Sequence, residues 1–221
     1  MDGRVKMYRS NYNPTSDAVW LAALPSVIPN TVLDVGVGTG GILMCLHHHF
    51  PNARYSGVDN SQEMLDVCRE NAFLNRFSVS LMNEDVMTWS TPLTFDLVVS
   101  NPPYFSGTTR NKQPNVHHNV DLAHWIRRCV ARVKPRGYFC VIIDAARLAE
   151  VITVMGKANF GDITVIPLFG SKPVAERVLI RGRACSGGPS IIHIGFPMNY
   201  DPILRDGLTI KKILSNINPQ C

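Results

Sequence analysis

The sequence has few of the features that mark metal-binding, disulfide-rich or membrane proteins. Its six cysteines include no C-x-x-C pair, and several lie within apolar runs. Disulfide frameworks and zinc sites need closely spaced or paired cysteines, so we expect reduced thiols and no metal site. No apolar run approaches about 18 residues, the length of a membrane-spanning helix, and the N-terminus lacks the apolar segment of a signal peptide. The sequence therefore predicts a cytoplasmic protein without membrane contact.

The sequence also lacks internal repeats, low-complexity tracts and blocks of five or more like charges. Its 221 residues are 45% hydrophobic and 18% charged, as is typical of a globular enzyme. This length favours one α/β domain over residues 1–221. The formal net charge of +5 favours an anionic partner such as nucleic acid, although many enzymes with small substrates are equally basic.

Apolar or alternating segments that predict strands are mostly separated by segments that predict helices. The predicted strands are 31–35, 53–59, 77–83, 95–100, 137–144, 163–168 and 177–181. The predicted helices are 17–24, 42–50, 62–75, 121–133 and 145–158. This alternation indicates the α/β class, with a doubly wound, mostly parallel seven-stranded sheet and helices on both faces. We expect an N-terminal helical segment (1–30), a catalytic core (31–184) and an irregular C-terminal tail (185–221).

Glycine or polar clusters follow four of the predicted strands. They are 34–41, Asp59, Asp85 and 101–104. In doubly wound sheets, ligands bind outside the carboxyl ends of the strands, near the point where the strand order reverses. We therefore expect these residues to share one edge of the sheet and to form the ligand site.

The first of these clusters is a glycine loop. Gly36, Gly38 and Gly40 allow the backbone to turn sharply and to approach a ligand closely. The spacing of Gly36, Gly38 and Gly41 also satisfies the G-x-G-x-x-G dinucleotide pattern, so the loop alone does not exclude NAD. Asp34, two residues before the first glycine, favours a cationic ammonium or sulfonium ligand, whereas it would repel a pyrophosphate. The loop therefore favours S-adenosylmethionine as the cofactor.

Polar residues after the second and third strands complete the predicted cofactor site. Asp59 ends the second strand, where its carboxylate can accept from both ribose hydroxyls, and Asn60 follows it. After the third strand, Asp85 can accept from the adenine amine while the amide of Val86 donates back to the ring. The alternatives are a helix-flanking acid at Asp59 and a polar surface position at Asp85.

The fourth strand runs directly into the turn Asn101-Pro102-Pro103-Tyr104. Two consecutive prolines cannot continue a central strand, and their fixed φ angles make the turn stiff. If the Asn101 side-chain oxygen and the Pro102 carbonyl accept both hydrogens of a conjugated amine, its lone pair can attack a sulfonium methyl. The Tyr104 ring offers a stacking platform, worth roughly 1–3 kcal/mol in such sites. The turn thus indicates methyl transfer to a planar amino nitrogen, with Asn101 beside the cofactor; the alternative is a strand-terminating turn with a buried tyrosine.

These motifs resemble those of class I methyltransferases of the small-domain type, which have a Rossmann-like fold. Within that type the sequence is most similar to bacterial tRNA adenine-N6 methyltransferases, which modify the purine beside the anticodon of a valine tRNA. The resemblance covers roughly residues 8–183 and rests on segments 13–21, 32–36, 95–104 and 133–137. It implies S-adenosylmethionine at the glycine loop and Asp59, a catalytic turn at 101–104, and tRNA as partner. Three departures are Asp59, where Glu is common, Val37, where a small residue is frequent, and the segment after Arg183, whose few basic residues leave the mode of tRNA binding open.

The same turn also serves enzymes that methylate guanine N2 in ribosomal RNA or a glutamine amide of release factors. Glutamine enzymes usually carry a helical domain before the glycine loop, and only 33 residues precede Asp34 here. The ribosomal enzymes often have two tandem domains. A different class of function is a binding module that keeps the fold without catalysis, although the loop and turn are intact. Adenine N6 in tRNA remains the prediction.

Two groups of basic residues and one histidine run have other interpretations. In the run 47–49, consecutive helical residues point about 100° apart and cannot converge on one ion, so a polar helix end is expected. The loop 107–119, with Arg110, Lys112 and His117-His118, is expected either to contact phosphate or gate the site, or to be an ordinary surface loop. The second basic group predicts a solvated helix face or, alternatively, a nucleic-acid contact; its members are Arg127, Arg128, Arg132, Lys134 and Arg136.

Overall fold

The structure, a computed structural model, describes residues 1–8, 15–103 and 121–217. The predictions for Tyr104 and for the loop 107–119 lie outside these residues. The strands are β1 (Thr31–Val35), β2 (Arg54–Asp59), β3 (Val79–Asn83), β4 (Phe95–Ser100), β5 (Val133–Asp144), β6 (Phe160–Phe169), β7 (Ala175–Ala184), β8 (Ile191–Ile192) and β9 (Phe196–Pro197). The α-helices are α1 (Ser16–Ala23), α2 (Gly41–His49), α3 (Gln62–Leu74), α4 (Leu122–Val130), α5 (Leu148–Lys157), α6 (Asp201–Leu204) and α7 (Ile210–Ile217).

The strands form one sheet in the order β3-β2-β1-β4-β5-β7-β6, with β8 and β9 both paired to the outer edge of β6. The pairs β1·β2, β1·β4, β2·β3 and β4·β5 are parallel. Only β7 runs antiparallel to its neighbours β5 and β6. The prediction of a doubly wound, mostly parallel seven-stranded sheet is therefore confirmed, and two short strands extend it.

The sheet is covered on both faces, and its central strands β1 and β4 are buried at nearly every position. Successive strand residues point to opposite faces, so Val32 packs into one core and Leu33 into the other. The first core holds α1, α2 and α3, while the second holds α4 and α5. This layering leaves the carboxyl ends of the parallel strands open between the helices.

The largest difference from the predicted elements before residue 185 lies between α4 and β5. The predicted helix 121–133 ends at Val130, and the strand begins at Val133 rather than Gly137. Val133 pairs with Phe95, after which the register shifts and the strand bulges. A Cβ at Gly137 would lie 2.9 Å from the Asp96 carbonyl oxygen. The bulge therefore requires a residue without a side chain at this position.

The prediction of an irregular tail over 185–221 is wrong for residues 191–217, which contain β8, β9, α6 and α7. The tail is ordered by a few apolar anchors. The indole N–H of Trp20 donates to the Met198 carbonyl at 3.0 Å. Phe196 packs against Trp20 and Tyr200, with ring centroids 5.9 and 5.5 Å apart, and Ile203 is fully buried. The assignment of residues 1–221 to one domain stays a prediction.

Candidate cofactor and acceptor site

The four clusters that follow predicted strands lie at the carboxyl edge of four neighbouring strands. In the order β3-β2-β1-β4, the edge carries Asp85, then Asp59, then the glycine loop, then Asn101. Neighbouring strands lie about 4.8 Å apart, so the row spans roughly 14 Å. The strand order reverses between β1 and β4, which is where doubly wound sheets bind ligands. The structure therefore brings the predicted residues together in one line.

The glycine loop takes a backbone conformation that other residues rarely adopt. Gly36, Gly38 and Gly40 have φ angles of +77°, +51° and +85°. The Gly36 amide donates to the Val58 carbonyl at 2.9 Å, which joins the loop to β2. A Cβ at Gly40 would lie 2.6 Å from the Cys68 sulfur. The loop therefore requires glycine at positive φ, and at Gly40 it also requires the absence of a side chain.

The unusual Val37 points away from the ligand side of the loop. It is buried in the same core as α1 and α2. A Cβ at Gly57 in β2 would lie 2.8 Å from a methyl carbon of Val37. The larger loop residue is therefore accommodated by a glycine in the neighbouring strand.

Asp34 is a fully buried acid in β1, directly below the glycine loop. Among the described residues, neither of its carboxylate oxygens has a hydrogen-bond partner. Burial, reinforced by the nearby Asp59 carboxylate, raises the pKa of Asp34 well above its usual range. A buried acid in this state fits a cationic ligand, because a positive charge would stabilise its ionised form.

Asp59 connects the end of β2 to the two elements beside it. One carboxylate oxygen accepts from the Gly38 amide at 2.8 Å, and the other accepts from the Ser61 amide at 3.0 Å. Each oxygen retains a second lone pair, so these bonds leave acceptor capacity for ligand hydroxyls. The next residue, Asn60, is exposed.

Asp85 and Val86 begin a compact turn two residues beyond β3. One carboxylate oxygen of Asp85 accepts from the Met87 amide at 2.9 Å, and its carbonyl accepts from the Trp89 amide at 2.7 Å. Asp85 is exposed, whereas Val86 and Trp89 are buried in the second core. We call residues 85–89 the adenine turn, after the predicted role of Asp85 and Val86. The turn exposes a polar side chain and is anchored in the core by buried apolar ones.

The Asn-Pro-Pro segment is fixed to the glycine loop by a buried hydroxyl. Ser100, at the end of β4, donates to the Val35 carbonyl at 2.7 Å and accepts from the Trp125 indole N–H at 2.9 Å. Asn101 follows directly and is half-buried, while Pro102 is buried and Pro103 is exposed. The sequence analysis missed Ser100 and Trp125, since a single buried serine carries no distinctive pattern.

A cleft beside this segment is bordered by ion pairs that the sequence analysis also missed. Besides Asn101 and both prolines, its lining includes Leu122, Ile142, Ile143, Asp144, Arg147 and Arg177. Arg177 lies 3.6 Å from both the Asp17 and the Asp144 carboxylates. The partners come from α1, β5 and β7, so no local spacing in the sequence reveals them.

The basic group 127–136 does not form one surface. Arg127 lies 3.7 Å from the Asp121 carboxylate, and Lys134 pairs with Asp96 at 2.9 Å. Arg128 turns inward and hydrogen-bonds a backbone carbonyl. The prediction of a single solvated helix face is therefore wrong for Arg128, and also for the residues beyond the end of α4, which are Arg132, Lys134 and Arg136.

The cysteines and the histidine run contribute to packing. The five described cysteines are free, as predicted, and four are buried. Burial raises the pKa of Cys68 to about 12, so this thiol stays neutral against Gly40. His47 stacks on Phe77 with ring centroids 4.3 Å apart. Within the described residues, no cluster of His, Cys, Asp and Glu is arranged to hold a metal ion, and no helix is long and apolar enough to cross a membrane.

Similar proteins include enzymes with two kinds of acceptor. The tRNA1(Val) (adenine(37)-N6)-methyltransferase of Phocaeicola vulgatus is 31% identical over 89% of this chain and 81% of its own length. The enzyme of the same name from Glaesserella parasuis is 33% identical over 51% of this chain, and the matched region spans 50% of that enzyme's length. The release factor glutamine methyltransferase of Deinococcus radiodurans is 40% identical over 42% of this chain and 33% of its own length.

The family and the fold follow from two further comparisons. The N-methyltransferase NodS of Bradyrhizobium japonicum, solved in complex with S-adenosyl-L-homocysteine, has a TM-score of 0.58 and is 19% identical over 77% of this chain and 86% of its own. That likeness shows a shared fold. The family model described as methyltransferase small domain matches residues 14–166, well over half of the sequence. The cofactor is S-adenosylmethionine, as the glycine loop predicts, and the chain belongs to the methyltransferase small domain family.

Proposed function

We propose that this methyltransferase modifies the exocyclic N6 of an adenine in tRNA. The observation that carries the proposal is the position of Asn101-Pro102-Pro103 at the β1–β4 boundary, where Ser100 fixes the segment to the start of the glycine loop. An acceptor amine at Asn101 would therefore lie next to the cofactor loop. A cytoplasmic location is part of the proposal, since it is where tRNA is found.

The order of the residues along the sheet edge supports one orientation of the bound cofactor. The adenine would lie at Asp85 and Val86, and the ribose hydroxyls at Asp59. The cationic methionine end would lie above Asp34, near Gly36 to Gly40. When bound, S-adenosylmethionine supplies a methyl group on a positively charged sulfur. In this orientation the methyl-bearing end lies on the Asn101 side of the row.

The Asn-Pro-Pro segment would orient the acceptor amine. The lone pair of a conjugated amine is delocalised into the ring, which makes the nitrogen a poor nucleophile. Acceptance of its two hydrogens by the Asn101 side-chain oxygen and the Pro102 carbonyl draws the nitrogen toward tetrahedral geometry. Neither proline has a backbone N–H that could compete for these acceptors. Tyr104 would stack on the base. No general base is required, because the proton becomes acidic once the methyl group has transferred.

Adenine in tRNA is favoured over a glutamine amide by the extent of the similarity. The tRNA methyltransferase of Phocaeicola vulgatus matches along 89% of the chain, whereas the release factor enzyme matches along 42%. The net charge of +5 agrees with a polyanionic substrate. The glutamine amide remains the second candidate, because that shorter match has the higher identity, 40%.

Methyl transfer from tritiated S-adenosylmethionine to three acceptors tests the proposal. Total tRNA, ribosomal RNA and release factor would be offered separately, and labelled RNA would be digested to nucleosides. We expect label in tRNA that elutes as N6-methyladenosine. Label in release factor alone would assign the chain to glutamine methylation, and label as N2-methylguanosine would assign it to guanine. A chain that binds the cofactor but labels none of the three would be a binding module.

A further inference from the structure

One arginine of α4 forms hydrogen bonds with the adenine turn. The Nε and Nη2 atoms of Arg128 donate to the Met87 carbonyl at 3.1 and 2.8 Å. Arg128 is half-buried, whereas its neighbour Arg127 is exposed and lies 3.7 Å from Asp121. Two donors of one planar guanidinium on one carbonyl fix the direction of that carbonyl, which a lysine could not do.

The other hydrogen bonds that shape the adenine turn are local. The Met87 amide donates to the Asp85 carboxylate at 2.9 Å, and the amides of Thr88 and Trp89 donate to the Asp85 carbonyl at 3.0 and 2.7 Å. These bonds set the internal shape of the turn. The position of the turn relative to the glycine loop depends on contacts with other elements. The Glu84 amide, directly before the turn, donates to the Asp59 carbonyl at 3.0 Å. Arg128 connects the turn itself, through Met87, to α4.

The same face of α4 also contacts the glycine loop. Trp125, three residues before Arg128, donates to Ser100, and a Cβ at Gly36 would lie 3.0 Å from its ring. Residues three apart in a helix share a face. Trp125 and Arg128 therefore connect the glycine loop and the adenine turn to one rigid helix.

We propose that Arg128 is a positioning residue that sets how the site recognises the purine edge of S-adenosylmethionine. By fixing the Met87 carbonyl it holds Asp85 and Val86 at the distance from the glycine loop that the adenine requires. The inference rests on the proposed placement of the adenine at Asp85 and Val86. It is independent of which molecule accepts the methyl group.

Calorimetric titration with the demethylated cofactor and one analogue of it tests this role without any methyl acceptor. The ligands are S-adenosylhomocysteine and S-inosylhomocysteine, in which a carbonyl replaces the purine amine. The wild-type chain should bind the adenosyl compound about 10-fold more tightly, because Asp85 accepts from the amine. Arg128→Ala should weaken adenosyl binding about 10-fold and bring the preference close to one. Arg128→Lys lacks the planar guanidinium, and its adenosyl affinity and its preference should lie between those of the wild type and of Arg128→Ala.

Arg127→Ala is the matched control on the same helix and should leave both affinities unchanged. If Arg128→Ala lowers the melting temperature but keeps the wild-type preference, Arg128 acts only in folding and the proposal is overturned. If Arg128→Ala does not fold, the same comparison is made with Arg128→Lys. A wild-type chain without any preference would also overturn the proposal, since the adenine would then lie elsewhere. Neither result bears on methylation of tRNA, which the acceptor assay decides separately.

Discussion

The cofactor half of the site and its acceptor half are built in different ways. In the cofactor half, the glycine loop is shaped by backbone geometry, including positive φ at three glycines and the Gly36 amide bound to Val58; the adenine turn also depends on a distant side chain, Arg128. Around β4 and β5, it is shaped by side chains from distant parts of the sequence, such as Ser100 with Trp125 and Arg177 with Asp17. Backbone geometry leaves a pattern of glycines that can be read in the sequence, whereas distant side-chain contacts leave none.

The largest effect that would separate the two halves is expected from Asn101→Ala. Loss of the amide acceptor should reduce methyl transfer by about 10²–10³-fold, the usual cost of removing one group that contacts the reacting atoms. Cofactor affinity should stay nearly unchanged, because the residues proposed to hold it follow other strands. Single-turnover rates and calorimetric titration measure the two quantities. Asn52→Ala, at an exposed turn, is the control; loss of cofactor binding in Asn101→Ala would show that the halves are not separable.

A smaller effect, confined to the cofactor half, is expected from Gly40→Ala. An alanine at this position would have to adopt a φ near +85°, and its methyl group would lie 2.6 Å from the buried Cys68 sulfur. We expect the loop to relieve this strain and overpacking, roughly 1–3 kcal/mol each, by moving away from its binding geometry, so that cofactor affinity falls about 100-fold. Gly156→Ala is the control, because α5 has open space there; it should keep affinity and gain roughly 0.5–1 kcal/mol of stability. Unchanged affinity in Gly40→Ala would mean that the loop does not contact the cofactor.

The smallest effect is a pH-dependent change of stability in Asp34→Asn. In the folded chain the pKa of Asp34 is raised, whereas in the unfolded chain the Asp34 carboxyl group ionises in the usual acidic range. Stability is therefore present at low pH and is lost as the pH rises through the raised pKa. Without cofactor, Asp34→Asn should melt at nearly the wild-type temperature at pH 4 and a few degrees higher at pH 8, at about 2–4 °C per kcal/mol.

The same substitution should weaken S-adenosylmethionine binding, because the acid no longer compensates its positive charge. Glu84→Gln, at an exposed position, is the control for both measurements. A lower melting temperature for Asp34→Asn at pH 8 would contradict a destabilising buried charge at Asp34.

The parts of the fold that the sequence predicted are those with a strong local signal. The segment 31–35 is largely apolar and ends at a cluster of glycines, which favours a turn over a continued strand, so its end was predictable. The start of β5 was not, because Val133 enters the strand through a bulge that depends on the contact between Gly137 and Asp96. The tail was missed for the same reason. Its short segments are ordered by Trp20, which lies far away in the sequence.

The candidate site divides along the same line. Asp34, Asp59, Asp85 and Asn101 could be predicted as candidate site residues because each lies at or just beyond the end of a strand, and the topology places all parallel strand ends at one edge. Arg128 was grouped with its basic neighbours, since its sequence context does not reveal that it turns inward to Met87. Only packing of α4 on the sheet decides which face of that helix an arginine occupies.

The position of Trp125 also makes the protein observable without a label. Its indole lies against Gly36 of the cofactor loop and bonds to Ser100 beside the acceptor turn. Of the three tryptophans, Trp89 belongs to the adenine turn, while Trp20 packs in the core on the opposite face of the sheet. Trp125 thus reports on the glycine loop and the acceptor turn, Trp89 reports on the adenine turn, and Trp20 reports on the other core.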